Sequence, residues 1–226
     1  MEEIKNEIEI DGLDDIEVEN TSVEDIDNEN INLIFLGIDK SGSMDSFSSD
    51  MKHSLNEFKD ALINSKEADE ILIARANFDD KIDISGYKKI NEFDTLFSAG
   101  GCTAMYDTIV EGAEKLKEYR QYLRDQGIRV KAVFAIFSDG MDTASFANGF
   151  SEAKRSIEFL NKEEITTAFI SFGGEATNEA KNLGFRNILD VTSSASELRK
   201  AFNCLSKSVI ESSKSVVSDG DDFFQI

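Results

Sequence analysis

Apolar positions along this chain recur in two rhythms, and the alternation between them outlines a fold. Residues 31–38 (INLIFLGI) form a nearly unbroken apolar run, the pattern of a parallel strand covered on both faces. Met51, Leu55, Phe58 and Leu62 then fall on one face of a helix. Residues 70–78 and 81–90 read as two strands joined around Asp79-Asp80, an antiparallel edge pair. Ile109, Ala113, Leu116 and Leu123 mark a long helix ending near Gly127, and residues 129–137 (RVKAVFAIF) a second buried strand. Phe150, Ala153, Ile157 and Leu160 make a further helix, and residues 164–172 a strand that stops at Gly173-Gly174. A short helix, a strand over 187–191 and a helix carrying Leu198, Phe202, Leu205 and Val209 close the pattern.

Strands alternating with helices predict an α/β three-layer sandwich, with a mostly parallel central sheet and one antiparallel edge strand. Right-handed crossovers bring the strand-to-helix loops to the carboxyl edge of such a sheet, where ligands bind. Seventeen Phe and 40% apolar residues supply the core, and the absence of Pro leaves turns to Gly, Asn, Asp and Ser.

Charge divides the chain. Residues 1–30 hold 13 acidic residues against one Lys, out of a formal net charge of -21. Residues 1–29 therefore read as a flexible acidic leader, although the alternation in Ile8-Glu9-Ile10 and Ile16-Glu17-Val18 around Asp11-Gly12 also fits a short hairpin. Residues 30–213 form the expected domain and 214–226 an acidic, aromatic tail. The remaining body is also acidic, which argues against binding to nucleic acid. No signal-like or membrane-length apolar run occurs, and Cys102 and Cys204 lie too far apart for a disulfide framework. The expected setting is the cytoplasm.

Three segments that leave strands carry unusual polar residues. They are Asp39-Lys40-Ser41-Gly42-Ser43, then Gly100-Gly101-Cys102-Thr103 running towards Asp107, then Ser138-Asp139-Gly140. Alone, the first reads equally well as a turn and helix cap. Together they supply carboxylates and hydroxyls without a soft ligand, which suits Mg²⁺, or Mn²⁺, rather than zinc. Gly42 and Gly100-Gly101 are expected to let the backbone approach the ion. Asp107 and Asp142 read as loop hydrogen-bonders, His53 as structural and Cys102 as a small filler.

The Asp-x-Ser-x-Ser loop, the Thr and the distant Asp resemble the metal-ion-dependent adhesion site of von Willebrand factor A domains. The sequences around Thr103 and Asp139 are similar to stand-alone bacterial members, including those associated with tellurium-resistance operons. The resemblance covers residues 31–213 in element order. It implies that Asp39, Ser41, Ser43, Thr103 and Asp139 hold Mg²⁺, with Ser41, Ser43 and Thr103 ligating directly and the two Asp partly through water. It also implies a non-enzymatic adaptor whose partner protein completes the shell with an Asp or Glu. Two alternatives stay open: a metal-dependent hydrolase, and a subunit whose metal only holds the fold. No nucleotide loop or dinucleotide fingerprint accompanies the site. The tail, with Asp219, Asp221 and Asp222 ahead of Phe223-Phe224, suggests either aromatics packed on their own domain or a docking peptide for self-association.

Overall fold

The computed structural model describes residues 30–65, 70–214 and 223–224. The acidic leader and Asp219, Asp221 and Asp222 of the tail lie outside the described residues. In chain order the elements are β1 (Asn30–Asp39), α1 (Ser48–Ile63), β2 (Glu70–Phe78), β3 (Ile82–Ile84) and β4 (Lys88–Lys89). Then follow α2 (Met105–Asp125), β5 (Arg129–Ser138), α3 (Phe150–Lys162), β6 (Thr166–Phe172), α4 (Thr177–Leu183), β7 (Asn187–Val191) and α5 (Ala195–Lys214).

The strands form one sheet in the order β3-β2-β1-β5-β6-β7, with β4 also paired to β2. β2, β1, β5, β6 and β7 are parallel, whereas β3 and β4 run antiparallel along the outer side of β2. The single edge strand expected over 81–90 is thus broken in two. At the break the Ser85 hydroxyl accepts from the Arg75 N–H at 2.9 Å, while the Ser85 N–H donates to the Arg75 carbonyl at 2.9 Å. A side chain takes one ladder position, so the regular pairing stops there.

β1 sits between β2 and β5, and its alternate side chains feed two separate cores. Ile31, Leu33 and Phe35 pack with α2, α3 and α4. Ile34, Leu36 and Ile38 pack with α1 and α5. Burial on both faces is why the strand reads as a nearly unbroken apolar run. The layers are therefore helices, sheet and helices, as expected.

Phe35 stacks on Phe134 with centroids 4.9 Å apart, and α2 crosses the ring at Gly112. A Cβ on Gly112 would lie 2.2 Å from Phe35 Cζ, so this close crossing sets the seat of α2. Gly112→Ala should gain about 1 kcal/mol in helix propensity. It should lose about 1–3 kcal/mol to overpacking against a ring already held by Phe134. Because the contact is far inside van der Waals distance, the loss wins. Thermal melts should show a lower Tm for Gly112→Ala, and an unchanged or raised Tm would show that the ring moves freely.

Phe223 and Phe224 pack on the domain itself. Phe223 is 5% exposed in the α1/α5 core, and its N–H donates to Asn187 Oδ1 at 2.9 Å. Phe224 packs on the same core. Among the described residues no helix is long and apolar enough to cross a membrane.

Candidate metal centre at the carboxyl edge

Three loops meet above the carboxyl ends of β1 and β5. The sheet order reverses there, since β1 connects onward to β2 on one side and lies beside β5 on the other. Backbone bonds lock the loops together. Gly42 N–H donates to the Gly101 carbonyl at 3.0 Å, and Gly100 N–H to the Lys40 carbonyl at 2.7 Å. The Ala104 N–H donates to the Asp79 carbonyl at 2.8 Å, and the Thr143 and Ala144 N–H groups both donate to the Thr103 carbonyl. The irregular segment leading to Gly100 is itself tied down by buried Arg75, whose guanidinium donates to the Asp94 carbonyl at 2.7 Å, and by Lys59 on the Phe93 carbonyl at 2.9 Å.

Within this frame Asp39 is fully buried. Its Oδ1 accepts the Ser41 N–H at 2.8 Å and its Oδ2 accepts the Ser138 hydroxyl at 2.6 Å. The Ser41 and Ser43 hydroxyls share a hydrogen bond of 3.0 Å, and Ser41 Oγ reaches Asp139 Oδ1 at 3.5 Å. Thr103 is buried too, between the Gly101 turn and the 143–144 backbone. The structure thus gathers Asp39, Ser41, Ser43 and Asp139 directly, and brings in Thr103 through the backbone bonds on either side of it.

Burial pushes the Asp39 carboxyl up to about 6, against the lowering effect of the Ser138 and Ser41 bonds, and the nearby Asp139 charge raises it further. Lys40, the adjacent cation, turns away and pairs with Asp79 Oδ2 at 3.0 Å. Asp39 is a buried acid whose hydrogen-bond donors here are neutral. A dication suits this set of two carboxylates and three hydroxyls, because it offsets the charge with hard oxygen ligands. Among the described residues no group of three or more His, Cys, Asp or Glu could hold a metal ion, and this centre, with two carboxylates and three hydroxyls, is not such a group either.

One role differs from the sequence expectation, that of Cys102. Of the three loop glycines, Gly101 alone has a backbone conformation that itself calls for glycine. Its φ is +79°, and a Cβ there would meet Asp79 and Asp80 at 3.0 Å. A Cβ on Gly42 would make an ordinary 3.5 Å contact, and one on Gly100 would meet nothing within 4 Å. Cys102 is exposed, so it fills no gap, and hydrogen bonding to Asp80 raises its thiol above the usual range. His53 lies on the surface of α1, with Nε2 3.1 Å from Glu57 Oε1.

Asp107 and Asp142 do act as loop hydrogen-bonders, and Asp107 does so on a larger scale than expected. Its carboxylate accepts the N–H groups of Phe146 (2.7 Å), Ala147 (3.2 Å) and Asn148 (2.6 Å), and the Asn148 side-chain amide at 2.9 Å. Burial alone would raise this carboxyl, but the donated N–H bonds outweigh it and hold the group below its usual range. Asp142 accepts the Tyr106 N–H at 3.0 Å and the Ser145 hydroxyl. Sequence reasoning gave no role to Ser138, which orients Asp39. The available signal was a hydroxyl that closes the buried apolar run of residues 132–137 at the end of β5.

No protein-family model and no curated protein matches the chain. Solved structures do. The von Willebrand factor domain of the type V pilus tip protein Mfa5 from Porphyromonas gingivalis is 12% identical with a TM-score of 0.58, over 82% of this chain and 97% of that one. A von Willebrand factor type A protein from Catenulispora acidiphila is 14% identical with a TM-score of 0.57, over 80% and 43%. Proximal thread matrix protein 1 of the mussel byssus is 19% identical with a TM-score of 0.56, over 80% and 46%. The chain spans less than half the length of the last two. At these identities the likeness is one of fold: the chain has a von Willebrand factor A-like α/β fold.

Proposed function

We propose that the protein is a metal-dependent protein-interaction module that binds a partner's carboxylate through Mg²⁺, or Mn²⁺, held by Asp39, Ser41, Ser43, Thr103 and Asp139. The observation that carries this reading is the fully buried Asp39 carboxylate beside a hydroxyl pair 3.0 Å apart and a second carboxylate, with the nearest lysine turned away to Asp79. When bound, the cation supplies a hard Lewis-acid centre that attracts a further anionic oxygen. The protein's own residues do the positioning: Ser138 and the Ser41 N–H aim the Asp39 oxygens, while the Gly42–Gly101 and Lys40–Gly100 bonds hold the Ser and Thr loops together. Solved neighbours of the same fold include the pilus adhesin SpaC of Lactobacillus rhamnosus GG, which is consistent with an interaction role.

An enzymatic reading would have to draw its base or nucleophile from the carboxylates and hydroxyls assigned here to the metal, since His53, the single histidine, lies on the surface of α1 beside Glu57. With Phe223 committed to its own core, a separate protein is the better source of the carboxylate than the tail of a second copy. The setting proposed is the cytoplasm. The test is capture from a cell extract on the immobilised full chain, in Mg²⁺ and in EDTA, read by mass spectrometry. A protein retained in Mg²⁺, released by EDTA and absent with Thr103→Ala is expected. Retention that ignores EDTA would sink the metal-dependent reading, and phosphate-ester turnover lost in Thr103→Ala would replace it with a hydrolase.

A further inference from the structure

The loop between β5 and α3 carries Asp139 and two exposed apolar side chains, Met141 at 58% and Phe146 at 100% exposure. A lone exposed apolar residue is ordinary on a protein surface. Phe146 differs because the backbone beneath it is immobilised. Its own N–H and the next two are held by the Asp107 carboxylate, the Ser145 hydroxyl by Asp142, and the Thr143 and Ala144 N–H groups by the Thr103 carbonyl. A binder that covers this ring has no loop backbone left to order, which lowers the entropic cost of the contact.

The position of the loop ties it to the candidate metal centre. Met141 is two residues from Asp139, and Phe146 two residues from Ala144, which bonds Thr103. Two residues of chain reach at most about 7 Å between Cα atoms. Composition supplies the second argument. Residues 143–149 (TASFANG) contain no charge, in a chain where 31% of residues are charged and the net charge is -21. Interface centres are depleted in charge in the same way. An acidic segment that approaches this acidic protein over residues 143–149 meets no charged side chain belonging to that strip.

We infer that Phe146, together with Met141 on the same loop, is an apolar anchor site for the same partner segment that gives its carboxylate to the metal. That segment is a protein strand or loop carrying an Asp or Glu with a large aliphatic or aromatic side chain within a few residues of it. Phe146 makes the apolar contact, Met141 adapts to the shape of the incoming side chain, and Asp107 is a positioning residue that holds the loop backbone from which the ring projects. This rests on the metal-dependent reading and adds the second half of the recognition.

The test selects random displayed peptides on the immobilised full-length protein in Mg²⁺, on wild type and on Phe146→Ser, with EDTA elution and Mg²⁺ titration calorimetry of both proteins alongside. EDTA-eluted peptides that pair an acidic residue with a nearby large apolar one are expected. A selected peptide should bind Phe146→Ser about tenfold more weakly or worse, and Phe146→Leu should recover most of the loss. Mg²⁺ binding in the absence of peptide should be the same in both proteins. Acidic peptides without an apolar neighbour, or equal affinity for Phe146→Ser, would overturn the anchor and leave the metal reading standing. Peptides that depend on Phe146 but resist EDTA would overturn the metal reading, and the two-part recognition with it. No enrichment over uncoated support would also overturn the anchor.

Discussion

Asp39→Asn is expected to abolish metal binding while leaving the protein, measured in EDTA, as stable as the wild type or more so. The amide keeps the shape of the carboxylate and both of its hydrogen bonds. Its oxygen can accept the Ser41 N–H, and its NH₂ can donate to Ser138 Oγ, whose own hydroxyl can swing to the Gly140 carbonyl 3.1 Å away. What disappears is one negative charge in a fully buried position next to Asp139. Burying a charge opposed only by neutral donors is costly, so the metal-free protein loses nothing by the change. Wild type should gain about 2.7 kcal/mol of stability at a Mg²⁺ concentration a hundredfold above Kd. For a domain of this size that is a rise in Tm of roughly 5–10 °C. Asp39→Asn should show no such rise, and calorimetry should register no binding heat. A metal-induced shift of wild-type size in Asp39→Asn would move the site elsewhere.

The second large effect is expected at Asp107, which touches none of the candidate ligands. Asp107→Ala strips the acceptor from the N–H groups of Phe146, Ala147 and Asn148 and from the Asn148 side chain. Bonds to a charged acceptor contribute about 1.5–3 kcal/mol each, but bonds sharing one carboxylate do not add. A total loss of about 3 kcal/mol is expected, read as a fall in Tm of roughly 6–12 °C. Amide hydrogen exchange should localise it, with protection lost over residues 146–148 and retained in β1 and β5. The pH dependence has a definite sign. The folded-state carboxyl lies below its ordinary value of 3.8. Its contribution is therefore complete above that value and is lost as pH falls through the lower, folded-state one. Protection of the three amides should persist at pH 5 and fail only on stronger acidification. Equal protection in Asp107→Ala and wild type would show that Thr103 and Asp142 alone suffice to hold the loop.

The order of elements, the parallel sheet and the antiparallel edge were legible in the chain because they depend on periodicity, and burial on one or two faces writes itself into every residue of an element. β1 and the second half of β5 carry nearly continuous apolar runs because both faces are covered, and α1 shows a single stripe because one is. The meeting of the Asp39, Gly100 and Asp139 segments was legible for a related reason. Each follows a strand or the edge hairpin, and connection rules bring such loops to one edge.

What depends on distant partners was not legible. Nothing near Gly112 indicates that Phe35 will lie across it, and nothing near Gly42 separates it from Gly101, where the backbone alone demands glycine. The break between β3 and β4 comes from a Ser85 side chain meeting Arg75 across the hairpin. Asp107 and Phe146 are 39 positions apart, so the clamp on the backbone beneath the exposed ring exists only after α2 and the β5–α3 loop are docked. Local sequence determined which elements form and which loops carry oxygen ligands. Tertiary structure decided which carboxylate is buried, which is spent on holding a loop, and which aromatic ring faces water, because those outcomes depend on contacts between segments far apart in the chain.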